Sequence, residues 1–156
     1  MNFKKKPLIK ISGIAHIALN VNDINSSFLF YSKILPLLGL KLVHKSNKSF
    51  YFIGGKTAIL IQQVEDIYKN ISFNQKKIGL HHFCFRARSK KSIDIIHMQL
   101  LKWKVKIIRG PIKGDWVPGY YYLLFEDIDG IRLEINYVPK KGVFEKNVKF
   151  NPAGDY

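Results

Sequence analysis

Cysteine is nearly absent from this chain of 156 residues, and methionine and tryptophan occur twice each. The single Cys84 excludes an intrachain disulfide framework and fits a reducing compartment. There is no run of about 18 apolar residues, so a membrane-spanning helix is not expected. The start Met1-Asn2-Phe3-Lys4-Lys5-Lys6-Pro7 carries charge without the apolar stretch of a secretory signal. A soluble, cytoplasmic protein is the expectation. Acidic residues are also scarce, 11 against 26 basic ones, for a formal net charge of +15. Such an excess invites a nucleic-acid or membrane-surface reading. Arginine, however, supplies only Arg86, Arg88, Arg109 and Arg132, and the lysines are spread along the whole chain beside abundant Ile and Asn. A phosphate-reading patch favours the bidentate guanidinium. The charge therefore reads as a solvated basic surface that attracts anionic ligands, with no specific nucleic-acid partner and no membrane partner.

What is present is a repeat. Gly13-Ile14-Ala15-His16-Ile17-Ala18-Leu19 lies on Gly79-Leu80-His81-His82-Phe83-Cys84-Phe85 at an offset of 66 residues, which sets His16 on His82. With 47% apolar content the chain can bury one core of ordinary size, so the two copies are expected to share a domain.

Each copy reads as βαβββ. In the first, Gly13–Val21 alternates apolar and polar with a period of two and reads as a strand. Asn22 or Asp23 caps a helix to about Leu37, with Ile24, Phe28, Tyr31 and Leu35 on one side and Gly39 after its end. Strands follow near Lys41–His44, Phe50–Ile53 and Thr57–Val64, with a Gly54-Gly55 turn. The second copy gives a strand over Leu80–Ala87, then Ser89 as cap of a helix to about Trp103 with Ile93, Ile96, Leu100 and Leu101 on one face. Its strands lie near Val105–Arg109, Tyr120–Glu126 and Ile131–Val138. The boundaries are an N-terminal arm over 1–10, one domain over 11–138 and a partly packed tail over 139–156. Within the domain, modules at 11–64 and 79–138 flank a polar linker at 65–78.

His16, His82 and Glu134 sit on three different strands, and each alternates against an apolar face: Ile17 and Leu19, Phe83 and Phe85, Leu133 and Ile135. Two histidines and a carboxylate are the raw material of a metal site. Tyr120 and Tyr122 share a strand face with Leu124. Arg132 shares the face of Glu134, and the turn-rich segment Gly110–Gly119 carries Trp116. Cys84 shares the face of His82 with no nucleophile relay near it, while His81 points the opposite way.

The order of a histidine strand, helix, Gly-Gly hairpin, second histidine strand and closing Phe125-Glu126-Asp127-Ile128-Asp129-Gly130-Ile131-Arg132-Leu133-Glu134 resembles the vicinal oxygen chelate superfamily, which includes glyoxalase I, extradiol dioxygenases, fosfomycin-resistance transferases and bleomycin-binding proteins. The resemblance covers roughly residues 11–138, and Ile128 stands where the family's turn usually has proline. It implies an α+β fold in which two βαβββ modules form a half-open, curled mixed sheet around a metal site. His16, His82 and Glu134 are the implied ligands of a divalent metal ion (Fe, Mn, Ni, Co or Zn), and a homodimer is implied as well. Glyoxalase I-like members add a carboxylate near the end of the first module. Here Leu60 matches that position, and only Gln62, two residues on, could supply an amide oxygen.

The resulting expectation is a glyoxalase-like enzyme that chelates vicinal oxygens of a small substrate, as a lyase, isomerase or dioxygenase. Glu134 and Tyr122 are the catalytic candidates; Arg132, Trp116 and Tyr120 would bind substrate. The alternative is a metal-independent binding protein of the bleomycin-resistance kind, using the same cavity.

Overall fold

The computed structural model describes residues 9–142 and 147–151, and these divide into two compact units between Glu65 and Asp66. The expected arm at 1–10 and tail at 139–156 lie largely or partly outside the described residues.

In the first unit, β1 (His16–Val21) leads into α1 (Ile24–Leu37), followed by β2 (Lys41–Lys45), β3 (Ser49–Gly54) and β4 (Thr57–Gln63). Asp23 caps α1 by accepting the Ser26 N–H at 2.7 Å, which satisfies one of the orphan donors of the first turn. The sheet order is β1-β4-β3-β2, with β1 parallel to β4 and the other pairs antiparallel. Leu19, Val21, Phe50, Phe52, Ile59 and Ile61 occupy one face of this sheet and are buried with Ile24, Tyr31, Ile34 and Leu35 of α1. Full burial of an aliphatic or Phe side chain stabilises by about 1.5–3 kcal/mol, so this face is what holds the helix. His16, Ala18 and Asn20 alternate onto the other face and are exposed.

The second unit repeats the topology after a short 3-10 turn at Asp66–Tyr68. It contains β5 (Phe83–Arg86), α2 (Lys90–Lys102), β6 (Ile107–Lys113), β7 (Tyr121–Glu126) and β8 (Arg132–Tyr137). The order is β5-β8-β7-β6, with β5 parallel to β8. Ser89 caps α2 by accepting the Ser92 N–H at 3.1 Å. Ile93, Ile96 and Leu100 are buried, but Leu101 is exposed, contrary to the face read from the sequence. Successive helical residues are turned by about 100°, so Leu100 and Leu101 cannot both face one sheet. Strand β6 runs through Gly110 and Pro111 to Lys113, where a loop is expected from the turn residues. Register shifts between Ile107, Arg109 and Ile112 accommodate this stretch, in which Pro111 has no N–H to give the ladder.

The turn before β8 is tied by Asp127. Its buried carboxylate accepts the N–H groups of Asp129 at 2.9 Å and Ile131 at 2.8 Å, and Gly130 takes a φ of +86° that suits glycine. Each unit is thus a four-stranded, open mixed sheet with one helix on one face.

Candidate functional site

In the second unit, Leu133 and Ile135 of β8 are buried and β-alternation turns Arg132, Glu134 and Asn136 to the other face. The register then assembles that face. Parallel pairing sets Cys84 beside Glu134 and Arg86 beside Asn136, while antiparallel pairing sets Leu124 and Tyr122 beside the same two residues.

Glu134 is 0% exposed. An isolated buried carboxylate is strongly unfavourable, and here the neighbours compensate. Oε1 accepts a short hydrogen bond from the Tyr120 hydroxyl and a second from the Cys84 thiol at 3.4 Å. Oε2 lies 3.3 Å from His82 Nε2. Asn136 Nδ2 donates to the Tyr120 hydroxyl oxygen at 2.9 Å, so that phenol is oriented from both sides. His82 Nδ1 meets His81 Nδ1 at 2.7 Å.

The electrostatics keep the donors neutral. Burial, then the bond to Glu134, pushes the Tyr120 phenol well above its usual range. Cys84 has an exposed outer side, yet crowding around its thiol, followed by the Glu134 charge, pushes it upward too. His81 is lowered by desolvation first, then by His82 and Arg132.

Two ligands held at about 2.0–2.2 Å from one metal at octahedral or tetrahedral angles stand about 2.8–3.6 Å apart. The 3.3 Å between His82 Nε2 and Glu134 Oε2 fits that spacing, and a nitrogen with a carboxylate suits the borderline divalent metals. Among the described residues no group of three or more His, Cys, Asp or Glu side chains is arranged to hold a metal ion, so the second unit offers a ligand pair.

The remaining candidates divide. Tyr122 belongs to an apolar cluster with Val117, Tyr120 and Leu124, against which Trp116 packs. Arg132 is drawn to Glu126, its Nε 3.3 Å from Oε1, and with the Gln75 amide oxygen turned toward it also donates to that oxygen at 2.7 Å. In the first unit, His16 and Gln62 share the face away from α1, and Gln62 donates its amide N–H to Asn20 at 2.9 Å. Leu60, beside Ala18 on that same face, is half-buried.

Two residues of the network escape the sequence reading. Asn136 has the parity of Glu134 and was available to the same alternation argument. His81 reads as pointing away from His82, but the ladder with β8 begins only at Phe83. Both histidines therefore precede the strand, where alternation does not govern direction.

A family model described as the Glyoxalase/Bleomycin resistance protein/Dioxygenase superfamily matches residues 13–135. The chain is 27% identical over 123 residues to the uncharacterized protein YqjT of Bacillus subtilis strain 168, covering 77% of this chain and 94% of that one. It also aligns at 28% identity over 184 residues with an arginine–tRNA ligase of Wigglesworthia glossinidia brevipalpis, of which it spans 32%. Among solved structures, a Bacillus halodurans protein described as a glyoxalase superposes with a TM-score of 0.74 at 27% identity, covering 81% of this chain and 96% of that one. The fosfomycin resistance protein FosX of Listeria monocytogenes shares the fold at a TM-score of 0.61 and 18% identity, over 83% and 93% of the two chains. The family match runs through both βαβββ repeats and reaches the strand that carries Glu134, and the chain belongs to the Glyoxalase/Bleomycin resistance protein/Dioxygenase superfamily.

Proposed function

We propose that this chain is a metal-dependent enzyme of the superfamily, acting on a small oxygenated molecule as a lyase, isomerase or dioxygenase. Glu134 and His82 are two ligands, and His16 is the third, carried over from the family pattern. Gln62 is a candidate further ligand through its amide oxygen. The observation that carries the reading is the buried Glu134 carboxylate, with one oxygen braced by Tyr120 and Cys84 and the other at ligand spacing from His82. A protein that merely sequesters a ligand has no chemical need for such an arrangement.

A divalent ion at these residues, Fe, Mn, Ni, Co or Zn, would supply Lewis-acid polarisation of vicinal oxygens or, as iron, a site for dioxygen. The chain's own residues do the rest. Tyr120 and Asn136 fix the rotamer of Glu134, as second-layer partners of a ligand do. Tyr122, its ring 5.6 Å from that of Tyr120, is the candidate donor to a bound oxygen. The resemblance extends the proposal to a cytoplasmic homodimer.

The test is elemental analysis of protein purified without chelators. We expect about one divalent ion per chain, lost in Glu134→Ala and His82→Ala variants that keep the wild-type circular dichroism. If the wild type takes up no metal under anaerobic loading with iron, manganese, nickel, cobalt or zinc, the metal-independent binding protein becomes the better reading.

A further inference from the structure

Beside the Glu134 network, within the second unit, lies a cavity of about 210 Å³ lined by Arg86, Trp116, Tyr120, Val138, Lys141 and Phe150. Its walls are chemically divided. Trp116 and Phe150 stack with ring centroids 6.5 Å apart and planes 29° from parallel. The Asn151 N–H bonds to the Trp116 carbonyl at 2.9 Å and pins this wall to the loop. Val138 adds an aliphatic side.

Arg86 and Lys141 add two cations to the lining, and among the described residues no carboxylate lines the cavity. Arg86 makes no ion pair among the described residues; its guanidinium donates only to the Val138 carbonyl, at a long 3.4 Å. Arg132 differs, being engaged by Glu126. Tyr120 belongs both to the cavity and to the Glu134 network. A group in the cavity would therefore sit one side chain from that carboxylate.

We propose that this cavity binds a small planar carboxylate, an aromatic or conjugated acid. Arg86 would hold its carboxylate through the guanidinium fork and Trp116 would carry its ring. The volume lies below the roughly 300–1,000 Å³ of pockets for drug-sized ligands. That suits a single ring with a short substituent. The proposal deepens the enzyme reading by naming the substrate class, and it shifts the anion-binding role from Arg132 to Arg86.

The test separates binding from metal chemistry by keeping the full chain in chelator and titrating it calorimetrically. The probes are benzoate, its neutral isostere benzamide, and acetate as an anion without a ring. Benzoate is expected to bind at least about tenfold more tightly than either, a difference set by pairing the charge and stacking the ring together. Arg86→Gln should weaken benzoate about tenfold and leave benzamide unchanged, whereas Arg86→Lys should retain part of the affinity. Trp116→Ala should weaken benzoate and benzamide alike, with Trp116→Phe restoring most of it. Three results would overturn the proposal: no benzoate binding, acetate binding as tightly as benzoate, or an Arg86→Gln protein that binds benzoate like the wild type. Because metal content is measured separately, failure here leaves the ligand assignment standing, and absence of metal leaves benzoate binding to be judged alone.

Discussion

At the scale of single residues, the arrangement turns on how the two oxygens of Glu134 are used. Oε1 is committed to Tyr120 and Cys84, and Oε2 lies toward His82. Removing the hydroxyl in Tyr120→Phe takes from this buried carboxylate oxygen the stronger of the two donors named above. On the proposed function, affinity for the metal should fall about 10–100-fold, the usual penalty for losing a ligand's outer partner, while the circular dichroism stays that of the wild type. Competition against a fluorescent chelator reads this directly, and a fall below about twofold would assign Tyr120 to the cavity wall alone. Cys84 gives a second prediction. Its thiol is exposed on one side but held above its ordinary range, so at pH 8 in chelator its alkylation by iodoacetamide should be at least about tenfold slower than that of a small free thiol. Mass spectrometry follows the rate, and modification as fast as the free thiol would contradict the bond to Glu134.

At the scale of elements, helix α1 and the turn before β8 offer opposite tests. Ser27 is fully buried in α1, and its hydroxyl finds no hydrogen-bond partner among the described residues. Ser27→Ala removes an unpaired polar atom and puts the best helix former in its place, so stability should rise by about 1 kcal/mol, seen as a higher Tm. Asp127 does the reverse. Its carboxylate accepts two backbone N–H groups in the Asp-Ile-Asp-Gly turn, and Asp127→Ala should cost about 1–3 kcal/mol in urea unfolding. The sequence signals this turn through Asp129-Gly130, whereas the side chain that ties it comes from Asp127.

At the scale of the whole molecule, the net charge of +15 is the dominant electrostatic fact. Its lysines are dispersed, so adventitious binding to DNA should be independent of base sequence. It should also weaken by orders of magnitude between about 50 and 200 mM salt, as counterion release requires. A gel-shift titration at the two salt concentrations checks this, and a base-sequence preference surviving at the higher salt would reopen the nucleic-acid reading.

What is local or periodic could be read from the residues in order. Alternation in β1 and β8 separated the apolar face of Leu19 and Leu133 from the face of His16 and Glu134; the Asn22-Asp23 pair and Ser89 announced both helix starts because capping is a contact within one turn. The repeat announced the shared βαβββ order. Periodicity failed where an element's edge depends on its partner: β5 starts at Phe83 because its ladder with β8 starts there, and β6 continues through Pro111 because β7 pairs with it on either side. Which side chains meet is a matter of three-dimensional packing. Arg132 has the parity of Glu134 yet is captured by Glu126, while Tyr120, just before β7, closes on Asn136 of β8. The cavity joins Arg86 to Trp116 and Phe150, residues far apart in the chain. Such contacts follow from register, bulges and rotamers fixed by packing, and a one-dimensional period carries none of that information.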